Sequence, residues 1–595
     1  MRQQLFPSEE ELHRQIAHTI RPLGQLILVC VSLDSLKLTP ILPFIRKEEG
    51  IQISYSHIGE LSFEETVVDT HCSISSITVN SLNSKNATFE RQFRARDSTF
   101  IDADFRGTDF LDLCRFPNNK FVRGNFLDSH FHQGVYFCED NLADAKISEV
   151  PDRIGENPSQ FTESANFVGI TCDSAAMFPK VRFETAATFN QSSFREGASF
   201  HGIEVGVASH FEDVDFPQGV DFREADLGIA GFATSEFDGP VRFEGATFGN
   251  KSWQMGVHSL YNHSLVEGNR IQQIDSAMDN GFIENFLERA KRLGATFDHC
   301  EFNGVTMLSD VKSYGPVGFA DVTFDDGRID VSTESEKEVV IMHGSEIKGG
   351  SLVVSDTYYE LSDGRIGEIS IESDLDRPFD YILLDNTEFD GFDFSNHRKL
   401  LRSHNWKIEG AVIDGEHHSL EQAENTYLKA KTAAKDQGDN RAASKFFVLE
   451  QRSRRRQLVE SIGWENSLRE NLRNSYQLIS NSLYDLSCKF GESPNRVVGW
   501  SLFTVIGFAA IYSRLGLNPA FQLQVDFVLP YVGTTLAVSG LEYVIFSSQS
   551  FTSFLLAGGT DVSDPGIRAV ATLESFLGAF LIALFVATLV RNVER

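Results

Sequence analysis

Phenylalanine recurs at intervals of five or six residues through two long stretches of the chain. An amphipathic helix repeats its apolar positions every ~3.6 residues and a half-buried strand every ~2 residues, so neither element produces this spacing. A period of about five residues therefore predicts a repeat architecture. The first run is Phe100, Phe105, Phe110, Phe116, Phe121, Phe126 and Phe131, extended by Leu142 and Ile147; the second is Phe178, Phe183, Phe189, Phe194, Phe200, Phe211, Phe216, Phe222, Phe232, Phe237, Phe243 and Phe248.

A small side chain often stands two positions before the phenylalanine, as Ala103, Thr108 and Gly124 do. The small residue leaves room beside each ring, and turns stacked ~4.8 Å apart would pair backbone with backbone. This motif resembles the pentapeptide-repeat family over roughly Phe89–Ile147 and Asn166–Phe248. The resemblance implies a right-handed quadrilateral β-helix with four short sides per coil and the central phenylalanine inside.

The remaining patterns divide the chain into further segments. Residues 1–80 contain short apolar runs between polar turns and are expected to form an N-terminal cap, and residues 81–250 form the β-helix. A polar insertion interrupts the array at 249–292, after which Phe297 and Phe302 resume it weakly. We therefore expect an irregular β-solenoid with an insertion over residues 251–410.

A helical pattern begins at Ser419 and predicts a helical linker over residues 411–496. Apolar residues follow at helical spacing from Leu420 to Ala434, and Gly438 separates a second helix, which suggests a helical hairpin. Arg454, Arg455 and Arg456 lie in that second helix and either face solvent or contact anionic lipid. Residues 459–490 are amphipathic and could form a connecting helix on a membrane surface.

Residues 497–595 have the composition of a membrane module. Ala569–Val590 carries only Glu574 and, at ~33 Å, is long enough to span a hydrocarbon core of ~30 Å. Val497–Ser513 carries no charge but reaches only ~26 Å, which suffices if the flanking arginines snorkel. Between them, Leu541–Phe554 offers only about fourteen helical positions, which favours a re-entrant helix. Basic residues precede the first span and follow the last. The positive-inside rule then places the N-terminal domain and the C-terminus in the cytoplasm, in a multi-pass protein of the plasma membrane.

Span, re-entrant helix, polar loop and span is the layout of the two-transmembrane potassium channel pore. The chain resembles that family over residues 497–591, through Phe551-Thr552-Ser553 in the pore helix, Asp561 and Pro565 beyond it, and Leu573–Gly578 in the inner helix. The resemblance implies a homotetramer that conducts a monovalent cation, K⁺ or Na⁺, past rings of backbone carbonyls. It assigns the selectivity filter and pore to Thr552, Ser553, Gly558, Gly559, Thr560 and Asp561.

The filter sequence departs from the Thr-x-Gly-Tyr-Gly-Asp pattern of that family. Without a gap, Leu555–Gly558 would occupy the positions of Gly-Tyr-Gly-Asp, whereas a two-residue insertion places Gly558–Asp561 there. The second alignment retains a glycine and the aspartate and is preferred. In the inner helix, Glu574 either braces the backbone behind the filter or contacts the ion. Gly578 is either a gating hinge or a helix-packing contact.

The net charge and the cysteine content limit the kinds of partner and site that the chain is expected to have. The formal charge of −31 argues against nucleic acid as a partner. Either a salt-rich cytoplasm or a functional negative surface, such as a mimic of duplex DNA, would explain the charge. The seven cysteines are scattered without a Cys-x-x-Cys pair, so we expect reduced thiols and neither a zinc site nor a disulfide framework. The N-terminus resembles no signal peptide.

No catalytic motif is recognisable, so no catalytic residue, metal or cofactor is expected and the chain is not predicted to be an enzyme. The sequence predicts a cation channel whose cytoplasmic repeat domain senses or docks a ligand or protein that it does not identify. The alternative is a membrane-anchored interaction scaffold with a non-conducting pore module.

Overall fold

The computed structural model divides the chain into two compact units, Met1–His418 and Ser419–Arg595. Each unit is described by itself. The described residues are 24–138, 158–249, 294–333, 339–355, 357–408, 420–462, 468–516, 525–528, 535–538, 540–556 and 564–593.

The first unit is a parallel β-solenoid of about 13 turns, from Leu26 to Phe389. One sheet contains Ser32–Lys37, His57–Ser62, Thr78–Asn83, Thr99–Asp104, Lys120–Asn125, Gln160–Asn166, Arg182–Phe183, Ala186–Thr188, Glu204–Val205, Ala208–Glu212, Ile229–Ala233, Ala295–Asp298, Val317–Ala320, Val339–His343, Tyr358–Glu360 and Ile382–Leu383. A second contains Leu26–Val29, Ile51–Ser54, Cys72–Ser75, Phe93–Arg96, Cys114–Arg115, Val135–Tyr136, Ala176–Met177, Ala198–Ser199, Val220–Asp221, Glu236–Phe237, Val241–Arg242, Thr247–Phe248, Glu301–Ser313, Thr323–Thr333, Glu346–Val353, Arg365–Glu372 and Glu388–Phe389. A third contains Val67–Val68, Thr88–Phe89, Asp109–Phe110, His130–Phe131, Thr171–Cys172 and Ser193–Phe194.

A typical turn of the solenoid takes 21 residues. Cys72 pairs with Phe93, Phe93 with Cys114, and Cys114 with Val135. The register advances by 41 residues from Val135 to Ala176 and by 65 from Val241 to Thr306. Residues 139–157 and 250–293 fall within these longer steps and outside the described residues, as do the predicted core positions Leu142 and Ile147 and nearly all of the predicted insertion at 249–292.

The core of the solenoid is built from columns of stacked phenylalanine rings, as the five-residue period predicted. The longest such column that the described residues show has successive ring centroids 4.7–5.1 Å apart and ring planes within 10° of one another. This separation matches the spacing of hydrogen-bonded strands, so each turn places its ring on the ring of the turn before. The column consists of Phe105, Phe126, Phe167, Phe189, Phe211, Phe232, Phe297 and Phe319.

The solenoid begins earlier than the phenylalanine period suggested, and it continues after residue 250, where the sequence predicts an irregular solenoid. Its parallel pairing runs through the predicted boundaries at 80/81 and 250/251, so the described part of the expected cap consists of solenoid turns. Aliphatic residues fill the same core positions there: Val79 pairs with Phe100, and Leu82 pairs with Ala103. After Phe389, helix α1, Arg398–Ser403, follows. Short 3₁₀ helices lie at Leu42–Phe44 and Pro378–Tyr381.

The second unit is helical. Its helices are α2 (Leu420–Asp436), α3 (Asn440–Glu460), α4 (Leu468–Cys488), α5 (Pro494–Arg514), α6 (Leu541–Leu556) and α7 (Pro565–Val593), and an antiparallel strand pair joins Val525–Val528 to Thr535–Val538. Helices α2 and α3 form the predicted hairpin, because Gln457 near the end of α3 donates to the Leu420 carbonyl at the start of α2, 2.7 Å away.

Helices α5 and α7 are long and apolar enough to cross a membrane, by length and composition. The qualifying segments are Pro494–Arg514 and Pro565–Arg591, at mean hydropathies of 1.4 and 2.2. Helix α6 has 16 residues and is therefore ~24 Å long, shorter than a hydrocarbon core of ~30 Å.

Candidate functional site

A buried carboxylate joins the three helices α5, α6 and α7. Glu574 lies on α7 and is fully buried. The hydroxyl of Tyr512 on α5 donates to its Oε2 at 2.7 Å, and Ser547 on α6 donates to its Oε1. The Ser547 hydroxyl also lies 2.8 Å from the carbonyl oxygen of Val505 on α5. A charged side chain in such a position is tolerated because both oxygens are hydrogen-bonded, and here the bonds fix α6 between the two longer helices.

Gly578 lies one helical turn further along α7, where α7 and α6 approach each other closely. A Cβ atom on this glycine would lie 2.1 Å from the carbonyl oxygen of Phe551 on α6. On the same side of α7, Ser575 Oγ lies 3.0 Å from Ser553 Oγ of α6. Of the two roles that the sequence left open for Gly578, this geometry supports the packing contact. Glu574 bonds to the hydroxyls of Tyr512 and Ser547, and the glycines of the predicted filter lie outside the described residues, so its role as a brace behind the filter stays a prediction.

The other face of α6 is polar and has no neighbour among the residues that the structure describes. Ser547, Ser550 and Phe551 are buried against α5 and α7, whereas Ser548 and Gln549 are exposed and Thr552 is partly exposed. The hydroxyls of Ser548 and Thr552 donate to backbone carbonyls of α6 itself. The outer face of α6 consists of Ser548, Gln549 and Thr552.

The predicted filter is only partly described. Thr552 and Ser553 lie in the last turns of α6. Gly558, Gly559, Thr560 and Asp561 lie outside the described residues. The alignment of the filter therefore stays a prediction.

The three arginines predicted to face lipid differ in their surroundings. Arg455 Nη1 lies 3.0 Å from Asp485 Oδ2, and Arg452 Nη2 lies 3.2 Å from Asp485 Oδ1. Burial raises the pKa of Asp485, but the hydrogen bonds and charges of these two arginines outweigh burial and hold the pKa below its usual value. Arg455 is thus paired within the protein, whereas Arg454 and Arg456 are exposed.

The sequence did not reveal a basic cavity between the start of α3 and the turn from α4 to α5. Arg441, Lys445, Lys489 and Arg496 line this open cavity of about 480 Å³. They are spread over 56 positions of sequence, so no charge run marks them. The fold alone brings them together.

On the solenoid, a cluster of histidines and aspartates lies on the third sheet. His132 Nε2 lies 2.9 Å from Asp109 Oδ1, and His130 Nε2 lies 2.9 Å from Asp173 Oδ2. Asp109, His130 and His132 each offer a ligand atom within 4.8 Å of the others and could hold a metal ion. The two rings stack with centroids 3.7 Å apart, and both point a nitrogen at Asp173 Oδ2, since His132 Nδ1 lies 3.0 Å from that oxygen. Hydrogen bonds among these side chains therefore account for their arrangement without a bound metal ion.

These observations define a phenylalanine-rich β-solenoid protein with a helical C-terminal unit that holds two helices of membrane-spanning length. No protein-family model, no curated protein and no solved structure matches the chain.

Proposed function

We propose that the protein is a cation channel of the plasma membrane, assembled from four identical chains in the potassium-channel-like layout. In this proposal α5 and α7 span the bilayer and α6 is the re-entrant pore helix. The solenoid is a right-handed quadrilateral β-helix of the pentapeptide-repeat type and lies in the cytoplasm with the C-terminus.

The outer face of α6 is the observation that carries the proposal. Helix α6 lies between two helices of membrane-spanning length, yet Ser548 and Gln549 point away from both. Polar side chains within a bilayer normally face a bundle interior or a water-filled cavity, because hydrocarbon cannot hydrogen-bond to them. Further copies arranged around an aqueous axis supply such a cavity.

Helix α4 supports assembly from several chains. Its polar side faces α3: Asn474 donates to Ser461 Oγ at 3.1 Å, and Asn481 to the Gln451 carbonyl at 3.4 Å. Its apolar side is exposed, the reverse of what a helix on a monomeric protein shows. The exposed side chains follow spacings of four and three residues, the heptad pattern of a helix-to-helix seam. This α4 seam is Leu472, Tyr476, Ile479, Leu483 and Leu486.

The charge of the solenoid unit favours cations as the permeant ion. Residues 1–418 hold 36 basic and 68 acidic residues, a formal charge of −32. A surface of one sign raises the local concentration of ions of the opposite sign. K⁺ and Na⁺ both fit this requirement.

Ion flux through reconstituted protein tests the proposal. We expect liposomes containing the purified chain to pass K⁺ or Na⁺. In this proposal position 549 faces the aqueous axis, so a positively charged thiol reagent should block ion flux through the Gln549→Cys variant. Phe503→Cys on α5 is the matched control, because its side chain is 67% exposed on an apolar helix and should face lipid. Both variants carry Cys30→Ser, since Cys30 is the exposed cysteine among those described.

Correctly assembled protein that passes neither ion would contradict the proposal and favour the membrane-anchored scaffold. Equal block at both positions would show that the outer face of α6 does not line the pathway.

A further inference from the structure

The basic cavity lies where two helices of the second unit begin. Its lining includes Asn440 and Arg441 at the start of α3, and Ser493 and Arg496 at the start of α5. Each of these helices has 21 residues, so each presents the positive end of its dipole to the cavity. Helix N-termini favour anions for this reason.

Three of the four basic side chains of the cavity lack counter-charges. Within the described part of the chain, Arg441, Lys445 and Lys489 form no ion pair, although the sequence contains 84 acidic residues. Elsewhere in this unit, Lys431 pairs with Glu450 at 2.6 Å.

The single carboxylate in the lining is directed to another residue. Glu492 Oε1 lies 3.4 Å from Arg591 Nη2. Arg496 donates to the carbonyl of Asp485 at 3.0 Å. The carboxylate of Asp485 lies 3.9 Å from Arg496 and closer to Arg452 and Arg455, at 3.2 and 3.0 Å. The cavity thus keeps a net positive charge.

Lys489 shows the effect of this unbalanced charge. Burial lowers its pKa, and the positive charges of Lys445, Arg452 and Arg496 lower it further, while Asp485 acts in the opposite direction. A bound anion would relieve the repulsion among these groups.

We propose that this cavity binds an anion carrying phosphate groups. Phosphate oxygens accept hydrogen bonds from guanidinium and ammonium groups, and both kinds line this cavity beside two helix N-termini. The cavity volume of about 480 Å³ accommodates a compact headgroup or a small phosphorylated molecule. The apolar segment of α5 begins at Val497, next to Arg496, so either an anionic lipid headgroup or a soluble phosphate compound could supply the group.

Binding of pyrophosphate to the full-length protein in neutral detergent, measured by calorimetry, tests the inference. We expect saturable binding that becomes weaker by about tenfold or more in Lys445→Gln/Lys489→Gln, because two charge-assisted contacts are lost. The matched control is Lys429→Gln/Lys435→Gln on α2, which removes the same charge away from the cavity. Circular dichroism checks that both variants keep the helical content of the original chain.

Two vesicle compositions distinguish the sources of the phosphate. Protein reconstituted in phosphatidylcholine vesicles should bind pyrophosphate as in detergent. If phosphatidic acid added to the vesicles lowers the affinity for pyrophosphate in the original chain, the lipid headgroup occupies the cavity; if it does not, a soluble anion is the ligand.

The inference is overturned if neither pyrophosphate nor phosphatidic acid binds, or if the α2 control loses as much affinity as the cavity variant. None of these measurements uses ion flux, so a protein that conducts no ion leaves the inference standing.

Discussion

The backbone of Phe551 lies where a side chain at position 578 would have to go. We predict that Gly578→Ala lowers the free energy of unfolding by about 1–3 kcal/mol, since the added methyl group must push α6 away from α7. Thermal unfolding in detergent, followed by circular dichroism, measures the change. Gly507→Ala in α5 is the control, because nothing lies within 4 Å of a Cβ there. It should be neutral or stabilising by up to ~1 kcal/mol. Equal stability of the two variants would contradict the packing role.

The sequence alone does not distinguish a gating hinge from a helix-packing contact at Gly578. A glycine in an apolar helix suits a hinge or a close contact equally well. The packing role is supported by the close approach of Phe551, which lies 27 residues earlier in the chain. Glu574 was ambiguous for the same reason, because Tyr512 and Ser547 become its partners only when the three helices meet.

At the scale of elements, the phenylalanine columns carry the solenoid core. We predict that Phe211→Ala, within the longest column described, destabilises the surrounding turns by about 3–5 kcal/mol, because the cavity removes contacts with the rings of Phe189 and Phe232. Each turn of a solenoid contacts mainly its neighbours, so the effect should be local. Hydrogen exchange of the full chain, resolved by peptide, measures it.

Val67→Ala is the control for this prediction, because Val67 is 57% exposed and its truncation should change stability by less than ~0.5 kcal/mol. Protection lost equally along the whole solenoid would contradict the local effect. Unchanged protection near Phe211 would contradict the core role of the column.

The period of phenylalanine revealed these columns but hid the first turns of the solenoid. Where a later turn places Phe100 and Ala103, the earlier turn places Val79 and Leu82. One large and one small side chain are thus replaced by two of intermediate size, which keeps the core filled. A search for phenylalanine alone does not detect a turn in which two aliphatic residues fill these core positions. Only the register between turns shows that the positions are equivalent.

At the scale of the whole molecule, the negative charge belongs to one unit. Residues 419–595 hold 17 basic and 16 acidic residues, a formal charge of +1, against −32 in residues 1–418. An adaptation to a salt-rich cytoplasm would act on every exposed surface there, including helices α2 to α4. The partition therefore favours a negative surface particular to the solenoid.

The α4 seam makes the assembly of the molecule testable. Leu472, Ile479 and Leu483 are between 58% and 72% exposed. Exposing apolar side chains to water is unfavourable, and a second copy of α4 would cover them. Arg469 and Arg473 lie beside the start of the seam, but serines flank it from Tyr476 onward. Most of the seam therefore offers little charge to an anionic membrane, which favours another helix over lipid as the covering surface. These flanking residues are Ser475, Ser480, Ser482 and Ser487.

We predict that Ile479→Cys, in a Cys30→Ser background, forms a disulfide-linked dimer of the full chain in liposomes under mild oxidation, because seam positions face each other in a helix bundle. Val459→Cys on α3 is the control: Val459 is 55% exposed and Ile479 58%, but Val459 lies off the seam.

A spin label at each cysteine shows whether a second copy of α4 or the membrane surface covers the seam. Spin–spin broadening at 479 but not at 459 indicates a second copy. Strong relaxation by oxygen at 479 without broadening would instead place α4 on the membrane surface and contradict self-association through this seam.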